Sequence, residues 1–399
     1  MSKKIVTNGR KLQTQAGTSV KSPVTDVTRS VKANVRLQLC VSGGGRCEFD
    51  GCNEYLFEHP LTLTRGNFSE AAHIVAFKEN GARGKHEDRP LDINGIDNLM
   101  LLCQRCHKLI DDNPGDYSKT ALVEYKNAHE ARIKHVTGLG PERKTAVLVL
   151  KAPINGQTVT VPFGQIVSAT SPQYPEQREP ETIDLTTISD KGDAFIQTAK
   201  DTIEEGLNSF LGRSGLGRKV GHISVFGLGP IPLLIFLGSK LSNKVPTEVF
   251  QRHRDTEDWT WKTDQPPVQY STMLLQKGTD TQRIALVLSL SGTISVADLP
   301  NEIKESSYIY SITLDGIAPN TSFLKTRQDI EGFRTTYQEM LGFIMKEHGL
   351  VGAIDVFPAI PAPIAVLCGR ELLPKVHPSL CVWDYNKANG GFIYKLNIN

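Results

Sequence analysis

Four of the chain's seven cysteines fall in two close pairs, Cys47-x4-Cys52 and Cys103-x2-Cys106. Four thiolates are what a closed tetrahedral structural zinc site requires, so these residues are the first candidates for chemistry. The 50 residues between the pairs exceed the separation in a zinc ribbon, and a further piece of structure is therefore expected inside the metal-clamped unit. That insert holds His73, in SEAAHIVAF, and Asn98, in INGIDNLMLLC, while His107 directly follows the last cysteine. His107 and Asp111 are four residues apart at the start of an expected helix, where they share a face. Glu70, Asp97 and Asp112 are alternative acids, and His86 belongs to a charged loop, GARGKHEDR over Gly81–Arg89. Taken singly, such an acid is more often a solvated charge than a ligand. Cys40, Cys368 and Cys381 stand outside the pairs and are expected in cores.

His73, Asn98 and His107 in that order, framed by the cysteine pairs and ending in NLMLLCQRCH, resemble the HNH nuclease family. The resemblance implies a two-stranded ribbon and a helix gripping a divalent metal, an α+β, zinc-stabilised ββα-metal fold. It implies that His73 is the general base that takes a proton from water, a role suited to an imidazole whose ordinary pKa is about 6.5. Asn98 would hold His73 or the ribbon in place. His107 would hold a Mg²⁺-like ion that neutralises the scissile phosphate and the departing 3′ oxygen. Many family members carry an acidic metal ligand immediately before the first histidine, where this chain has Ala72. The second ligand is open among Asp111, the leading candidate, and the alternative acids.

The elements that must position these groups belong to a chain of 399 residues, long enough for two or three domains. Hydrophobic residues at 39% and charged residues at 22% exclude wholesale disorder and fibrous repeats. No run approaches the ~18 uncharged apolar residues of a membrane span, and Met1–Lys21 lacks the apolar block of a signal peptide, so a bacterial cytoplasmic location is expected. A net charge of +2 excludes any argument from bulk basicity. Residues 1–34 nevertheless form a basic arm, with Lys3, Lys4, Arg10, Lys11, Lys21, Arg29 and Lys32 against Asp26, expected to be solvated and flexible. The nuclease domain is expected over 35–140, closed by a helix that Ser118 caps, that repeats Leu122, Tyr125, His129 and Val136, and that Gly138 stops.

A second domain is expected over 145–399. It opens with alternation around Asn155-Gly156, a hairpin signal, followed by a Pro-rich surface loop over Ser168–Asp190. Helical stripes at Ile196, Ala199, Ile203, Leu207 and Phe210, and at Ile330, Phe333, Tyr337, Leu341 and Ile344, then alternate with short apolar runs, the α/β pattern. An internal repeat sharpens it. VFGLGPIPLLIFLGSKL (Val225–Leu241) aligns without gaps on VFPAIPAPIAVLCGREL (Val356–Leu372), matching Val225/Val356, Phe226/Phe357, Pro230/Pro361, Pro232/Pro363, Gly238/Gly369 and Leu241/Leu372. Two related strand-turn-helix-strand halves are expected, at about 220–290 and 350–399. Each turn would set helix N–H groups beside the carboxyl edge of a sheet, where anions bind. Gly227-Leu228-Gly229 lacks the third glycine of a dinucleotide fingerprint, which argues against a nicotinamide cofactor. After the first copy, Arg252, His253 and Arg254 precede Trp259 and Trp261, cations and flat rings of the kind nucleotides need.

HIS-FG-GPIPL-LG, then QRHR and W-W, then FPAIPAPIAVLCGREL resemble the SAVED domain, a fused pair of CARF-like, Rossmann-like sensor folds of bacterial anti-phage CBASS systems. That resemblance implies an effector endonuclease that binds a cyclic di- or trinucleotide made by a partner cyclic-nucleotide synthase, assembles into dimers or tetramers, and degrades double-stranded DNA. Phe226, Pro230, Arg252, His253, Arg254, Trp259, Trp261 and Pro361 are its expected ligand contacts. Two rivals stand beside it: a modification- or sequence-dependent HNH restriction enzyme whose carboxyl-terminal domain reads DNA, and a non-catalytic zinc-stabilised nucleotide-binding protein.

Overall fold

The computed structural model describes residues 30–85, 87, 89–153, 160–188, 192–212, 220–241, 243–386 and 390–398. The expected arm before residue 30, His86 and the Asn155-Gly156 turn lie outside the described residues. The chain divides into two compact units, Met1–Gly138 and Leu139–Asn399.

In the first unit, α1 (Ala33–Ser42) precedes an antiparallel ribbon of β1 (Ser69–His73) and β2 (Leu99–Cys103), followed by α2 (Gln104–Asp112) and α3 (Lys119–Thr137). The register sets Ser69 opposite Cys103 and His73 opposite Leu99. All five residues of β2 are buried, because α1 and α2 both pack against this apolar strand. Gly44 and Gly45, at φ of 61° and 67°, turn the chain back after α1 so that Cys47 follows at once. Next to it the buried Glu48 carboxylate accepts from Leu101 N–H at 2.8 Å, and burial pushes its pKa up to about 7. As the Ser118 signal predicts, that side chain caps α3 by accepting from Ala121 N–H at 3.2 Å. His129 of α3 hydrogen-bonds the Gly43 carbonyl at 3.0 Å, tying α3 to the end of α1.

The second unit begins with β3 (Lys144–Lys151), α4 (Phe163–Thr170), β4 (Tyr174–Pro175), β5 (Glu181–Asp184), α5 (Gly192–Gly212), β6 (Ile223–Leu228), α6 (Ile231–Leu241) and β7 (Thr247–Phe250). These strands form one sheet in the order β4-β3-β6-β7, with β5 alongside β3, and every pairing is parallel. The rest comprises β8 (Tyr270–Gln276), β9 (Ile284–Ser289), α7 (Asn301–Lys304), β10 (Tyr308–Leu314), α8 (Arg327–His348), β11 (Ala353–Ala359), α9 (Ala362–Arg370), β12 (Ser379–Asn386) and β13 (Gly391–Ile398). Here the order is β13-β12-β11-β9-β10-β8, with four parallel central strands and antiparallel edges. All six residues of β9 are buried, as in a strand covered on both faces. Strand order reverses between β3 and β6 in the first sheet and between β9 and β11 in the second. Such reversals open a crevice at the carboxyl ends of the strands.

The sequence repeat is a structural one. β6-α6-β7 and β11-α9-β12 match, and α6 packs on α9 through the two paired glycines. A Cβ on Gly238 would lie 1.9 Å from the Val366 carbonyl oxygen, and one on Gly369 would lie 1.8 Å from that of Ile235. Ile235 and Val366 are themselves equivalent in the repeat, so each helix presents the same backbone groups to the other. This is the isologous contact a pseudo-two-fold axis produces.

One expectation needs correction. The stretch over Ser168–Asp190 is no simple loop, because it contains the end of α4 and the short strands β4 and β5 against β3. Among the described residues β3 pairs only with parallel strands. The strands β8 and β13, absent from the expected set, are the antiparallel edges; β8 mixes exposed and half-buried positions, and β13 adds the buried Leu396 and Ile398.

Candidate functional site

The ribbon and the start of α2 bring the paired cysteines together. The sulfurs of Cys47, Cys52, Cys103 and Cys106 all lie within 4.8 Å of one another, and Cys52 Sγ is 4.0 Å from Cys103 Sγ. A tetrahedral ion with metal–sulfur bonds of about 2.3 Å needs sulfur–sulfur edges of roughly 3.8 Å, so the donor set fits one thiolate-bound divalent metal. At 4.0 Å, Cys52 and Cys103 are about twice too far apart for a disulfide. Burial, with neighbouring thiols adding to it, pushes Cys47 up to about 12; a bound cation reverses that preference by stabilising the thiolates. Cys103 also caps α2, accepting from Cys106 N–H at 3.4 Å, which couples the cluster to the helix carrying His107.

A cavity of about 460 Å³ opens beside the ribbon and is lined by Glu70, His73, His107 and Asp111, with Arg36 and Lys78 as its cations. His73 is the last residue of β1, and its Nε2 lies 2.9 Å from Asn94 Oδ1. His107 and Asp111 do share a helical face, with His107 Nε2 3.4 Å from Asp111 Oδ2. The hydrogen bond and charge of His107, then the charges of Arg83 and His73, hold the Asp111 carboxyl below its ordinary pKa. Two ligands of one ion at about 2.1 Å stand roughly 3 Å apart, so this pair fits a small divalent cation whose remaining positions water and phosphate would fill. Ala72 is fully buried in the core, so an acid at that position would be packed away from water here, whereas Glu70 lines the cavity. Asp97 lies in a 3₁₀ turn outside the cavity lining, and Asp112 pairs with Lys108 at 2.6 Å.

Asn98 is buried, and its amide clamps backbone. Its Oδ1 accepts from Val75 N–H at 2.9 Å, and its Nδ2 donates to the carbonyls of Val75 at 3.0 Å and Ile93 at 2.9 Å. Of the two roles the sequence left open for Asn98, this geometry is that of holding the ribbon's connecting loop. Two arginines that the motif does not contain brace the same loop. Arg83 donates to the carbonyls of Ile74, Ile110 and Tyr117, and Arg89 to those of Ala76, Gly84 and Phe77. Their only sequence signal is position in the charged loop, where they look like solvated cations.

In the second unit the expected ligand contacts divide sharply. Phe226 is fully buried, stacked on Phe250 at 4.6 Å and met edge-on by Trp259 at 5.2 Å. Trp259 is 1% exposed, Trp261 5% and His253 4%. These rings close the core around the outer strand β7, and Phe226 and Trp259 present no open face on which a base could stack, which corrects that part of the expectation. Trp261 does line a cavity of about 350 Å³ with His222, Glu248, Arg327, Arg334 and Arg370. Arg252 is half-buried and pairs with Glu257 at 3.8 Å, while Arg254 is exposed. Pro230 and Pro361 are half-buried at the carboxyl ends of β6 and β11, immediately before α6 and α9.

Residues 47–113 match the family model described as HNH endonuclease, and residues 207–398 match SAVED, the SMODS-associated sensor domain fused to various effectors. Solved structures similar to the chain include the Acinetobacter baumannii Cap4 SAVED/CARF-domain containing receptor with the cyclic trinucleotide 3′3′3′-cAAA, at 13% identity and a TM-score of 0.42. That match covers 73% of this chain and 61% of the receptor. The Cap4 receptor of Moraxella osloensis aligns at 11% identity and a TM-score of 0.38, over 74% of this chain and 60% of its own. The chain thus spans about three fifths of the length of these receptors. No curated protein was found to match it in sequence. Within one polypeptide, an HNH endonuclease domain precedes a SAVED sensor domain.

Proposed function

We propose that the chain is a ligand-gated, metal-dependent endonuclease that cuts double-stranded DNA when its sensor binds a cyclic di- or trinucleotide. The observation that carries the reading is the meeting of His73, His107 and Asp111 in one cavity beside a two-stranded ribbon and helix. His73 takes a proton from water as the water oxygen attacks phosphorus. The bond to the 3′ oxygen breaks, and that oxygen takes a proton from solvent, leaving a 5′ phosphate and a 3′ hydroxyl. A Mg²⁺-like ion, when bound by His107 and Asp111, supplies charge neutralisation at the phosphate and the leaving oxygen. Arg36 and Lys78 hold the flanking phosphates. Cys47, Cys52, Cys103 and Cys106 hold a structural zinc.

The regulatory half of the reading rests on the SAVED match, whose description is of a sensor domain fused to effectors. In this reading residues 35–140 form the nuclease and residues 145–399 the sensor. The half-buried turns at Pro230 and Pro361 lie near the ligand's phosphates, related by the same axis as α6 and α9. The ligand comes from a partner cyclic-nucleotide synthase in a bacterial cell responding to phage. Its binding favours a dimer or tetramer, because a gating ligand must bind the assembled state better than the idle one. No helix among the described residues is long and apolar enough to cross a membrane. The test is plasmid cleavage by the full chain with Mg²⁺ across a panel of cyclic di- and trinucleotides, with mass followed by light scattering. Cleavage only with one ligand supports the gated reading; cleavage with no ligand and no rise in mass replaces it with the DNA-reading restriction enzyme.

A further inference from the structure

A cleft of about 350 Å³ opens in the second unit at the amino ends of β6 and β7, where His222 and Thr247 line it. The Pro230 turn follows the carboxyl end of β6, so this cleft and the crevice read as the cyclic-nucleotide site lie at opposite ends of the strand. One side of the cleft is apolar: Trp261, Val249 and Ile330 line it and are each 6% exposed or less. Guanidiniums give it the opposite character. Arg327 Nε pairs with Glu248, while Arg334 donates from Nη1 to Glu331 at 2.7 Å and keeps its Nε 3.2 Å from Glu371. Both terminal nitrogens of Arg327, and Nη2 of Arg334, have no partner among the described residues. Arg370 is engaged by Glu371 and by the Val245 carbonyl, and so forms wall. Arg327 is also the first residue of α8, whose 22 residues turn the positive end of their dipole towards it. A cation is disfavoured at such an end and an anion favoured. With Glu371 counted, the three arginines and three glutamates balance, so the cleft offers unpaired N–H groups and a helix end rather than an excess of positive charge.

We propose that this cleft is a further ligand site of the second unit, taking a phosphate monoester borne on a flat apolar body: Arg327 and Arg334 receive the phosphate oxygens, and the ring lies along Trp261, Val249 and Ile330. The volume is in the range of small-molecule pockets, and a few placed donors beside an apolar wall are their usual lining. The site stands independently of how the nuclease is gated. The experiment titrates phenyl phosphate into the full chain, followed by calorimetry and by indole fluorescence. All three tryptophans, Trp259, Trp261 and Trp383, belong to the second unit, so the emission does not report phosphate that reaches the nuclease cavity. Phenyl phosphate should bind and change the emission. Inorganic phosphate, which has no ring to bury, should bind about 10-fold more weakly or worse, and phenol, which has no anion, should not saturate. Arg327→Gln should weaken phenyl phosphate by about 10-fold, and Arg334→Gln likewise, the loss expected for a hydrogen bond to a charged group. Trp261→Phe should keep the calorimetric signal and remove the emission change. If Arg334→Gln fails to fold, since its guanidinium also holds Glu371, the more exposed Arg327→Gln decides the matter alone. A parent chain whose emission does not respond to phenyl phosphate, phenol binding as tightly, undiminished binding by Arg327→Gln, or an emission change that survives Trp261→Phe overturns the assignment.

Discussion

Replacing Gly238 by alanine tests the contact on which the sensor's symmetry rests, because two effects predict opposite signs. In an ordinary helix Gly→Ala stabilises by about 1 kcal/mol, since glycine loses the most backbone freedom on ordering. At Gly238 the new Cβ would stand 1.9 Å from the Val366 carbonyl oxygen and 3.0 Å from Arg370 N, both backbone atoms that cannot rotate aside. The helices α6 and α9 must then separate by about 1 Å. A gap of that size forfeits roughly a quarter to a half of each dispersion contact it opens. The faces involved are almost wholly buried: Leu233, Leu234, Leu237 and Leu241 on one side, Ile364, Ala365 and Leu367 on the other. Overpacking of this kind costs about 1 to 3 kcal/mol and more where backbone must move, so the close approach should outweigh the propensity gain.

Taking the upper end of that cost, because backbone must move, and subtracting the propensity gain leaves an expected net loss of about 2 kcal/mol, a fall of roughly 4 to 8 °C in the melting transition of the second unit. Calorimetry of the full chain reads it in the transition that a metal chelator leaves unchanged. The equivalent Gly369→Ala should behave alike, since its Cβ would meet the Ile235 carbonyl oxygen at 1.8 Å. The double variant should cost less than the sum, because once the helices have retreated for one methyl group the second finds room. A stabilised Gly238→Ala, or strictly additive losses, would refute the shared crossing.

Cys103→Ser should drop bound zinc from one per chain to none and abolish the first unit's unfolding transition while the second unit's remains; metal analysis of active parent protein without zinc would defeat the cluster's structural role. Trp259→Ala should destabilise the second unit by about 3 to 5 kcal/mol, as removal of a fully buried indole does, and urea melts showing less than about 1 kcal/mol would return this ring to the ligand-contact set. Burial lowers the pKa of His222, His253 and His377, so the folded second unit binds fewer protons than the unfolded chain below about pH 6.5. Their contribution is intact above that pH and is lost as pH falls from about 6.5 towards the depressed folded values. Urea melts between about pH 7 and 5.5 should show falling stability, with a shallower slope in His222→Asn; an unchanged slope would mean His222 titrates as it does unfolded.

The site was legible where residue identity and spacing alone dictate chemistry. Two cysteine pairs can do little else together, and a helix puts His107 and Asp111 on one face whatever surrounds it, so these positions could be read before any fold was known. The glycine and proline matches of the repeat were legible for a similar reason, since only glycine tolerates the crossing of α6 on α9. The misses follow from burial, which a single sequence does not display. Trp259 and Trp261 after Arg252 have the composition of a nucleotide platform, yet the edge strand β7 needs large rings to close its flank, and burial took them. For Asn98 the sequence left two roles open, and burial favours the one that holds the ribbon. Asn98 lies in a 3₁₀ turn at the start of a fully buried strand, where the free backbone groups of Val75 and Ile93 claim its amide, so the nearer-surface Asn94 is left to meet the imidazole. Arg83 and Arg89 were unreadable for the opposite reason: nothing in GARGKHEDR separates a solvated cation from one whose guanidinium satisfies three carbonyls at once. In the proposed site the candidate reacting groups come from the motif, while Asn98, Arg83 and Arg89 stand in for the backbone partners that the irregular loop beside them cannot provide for itself.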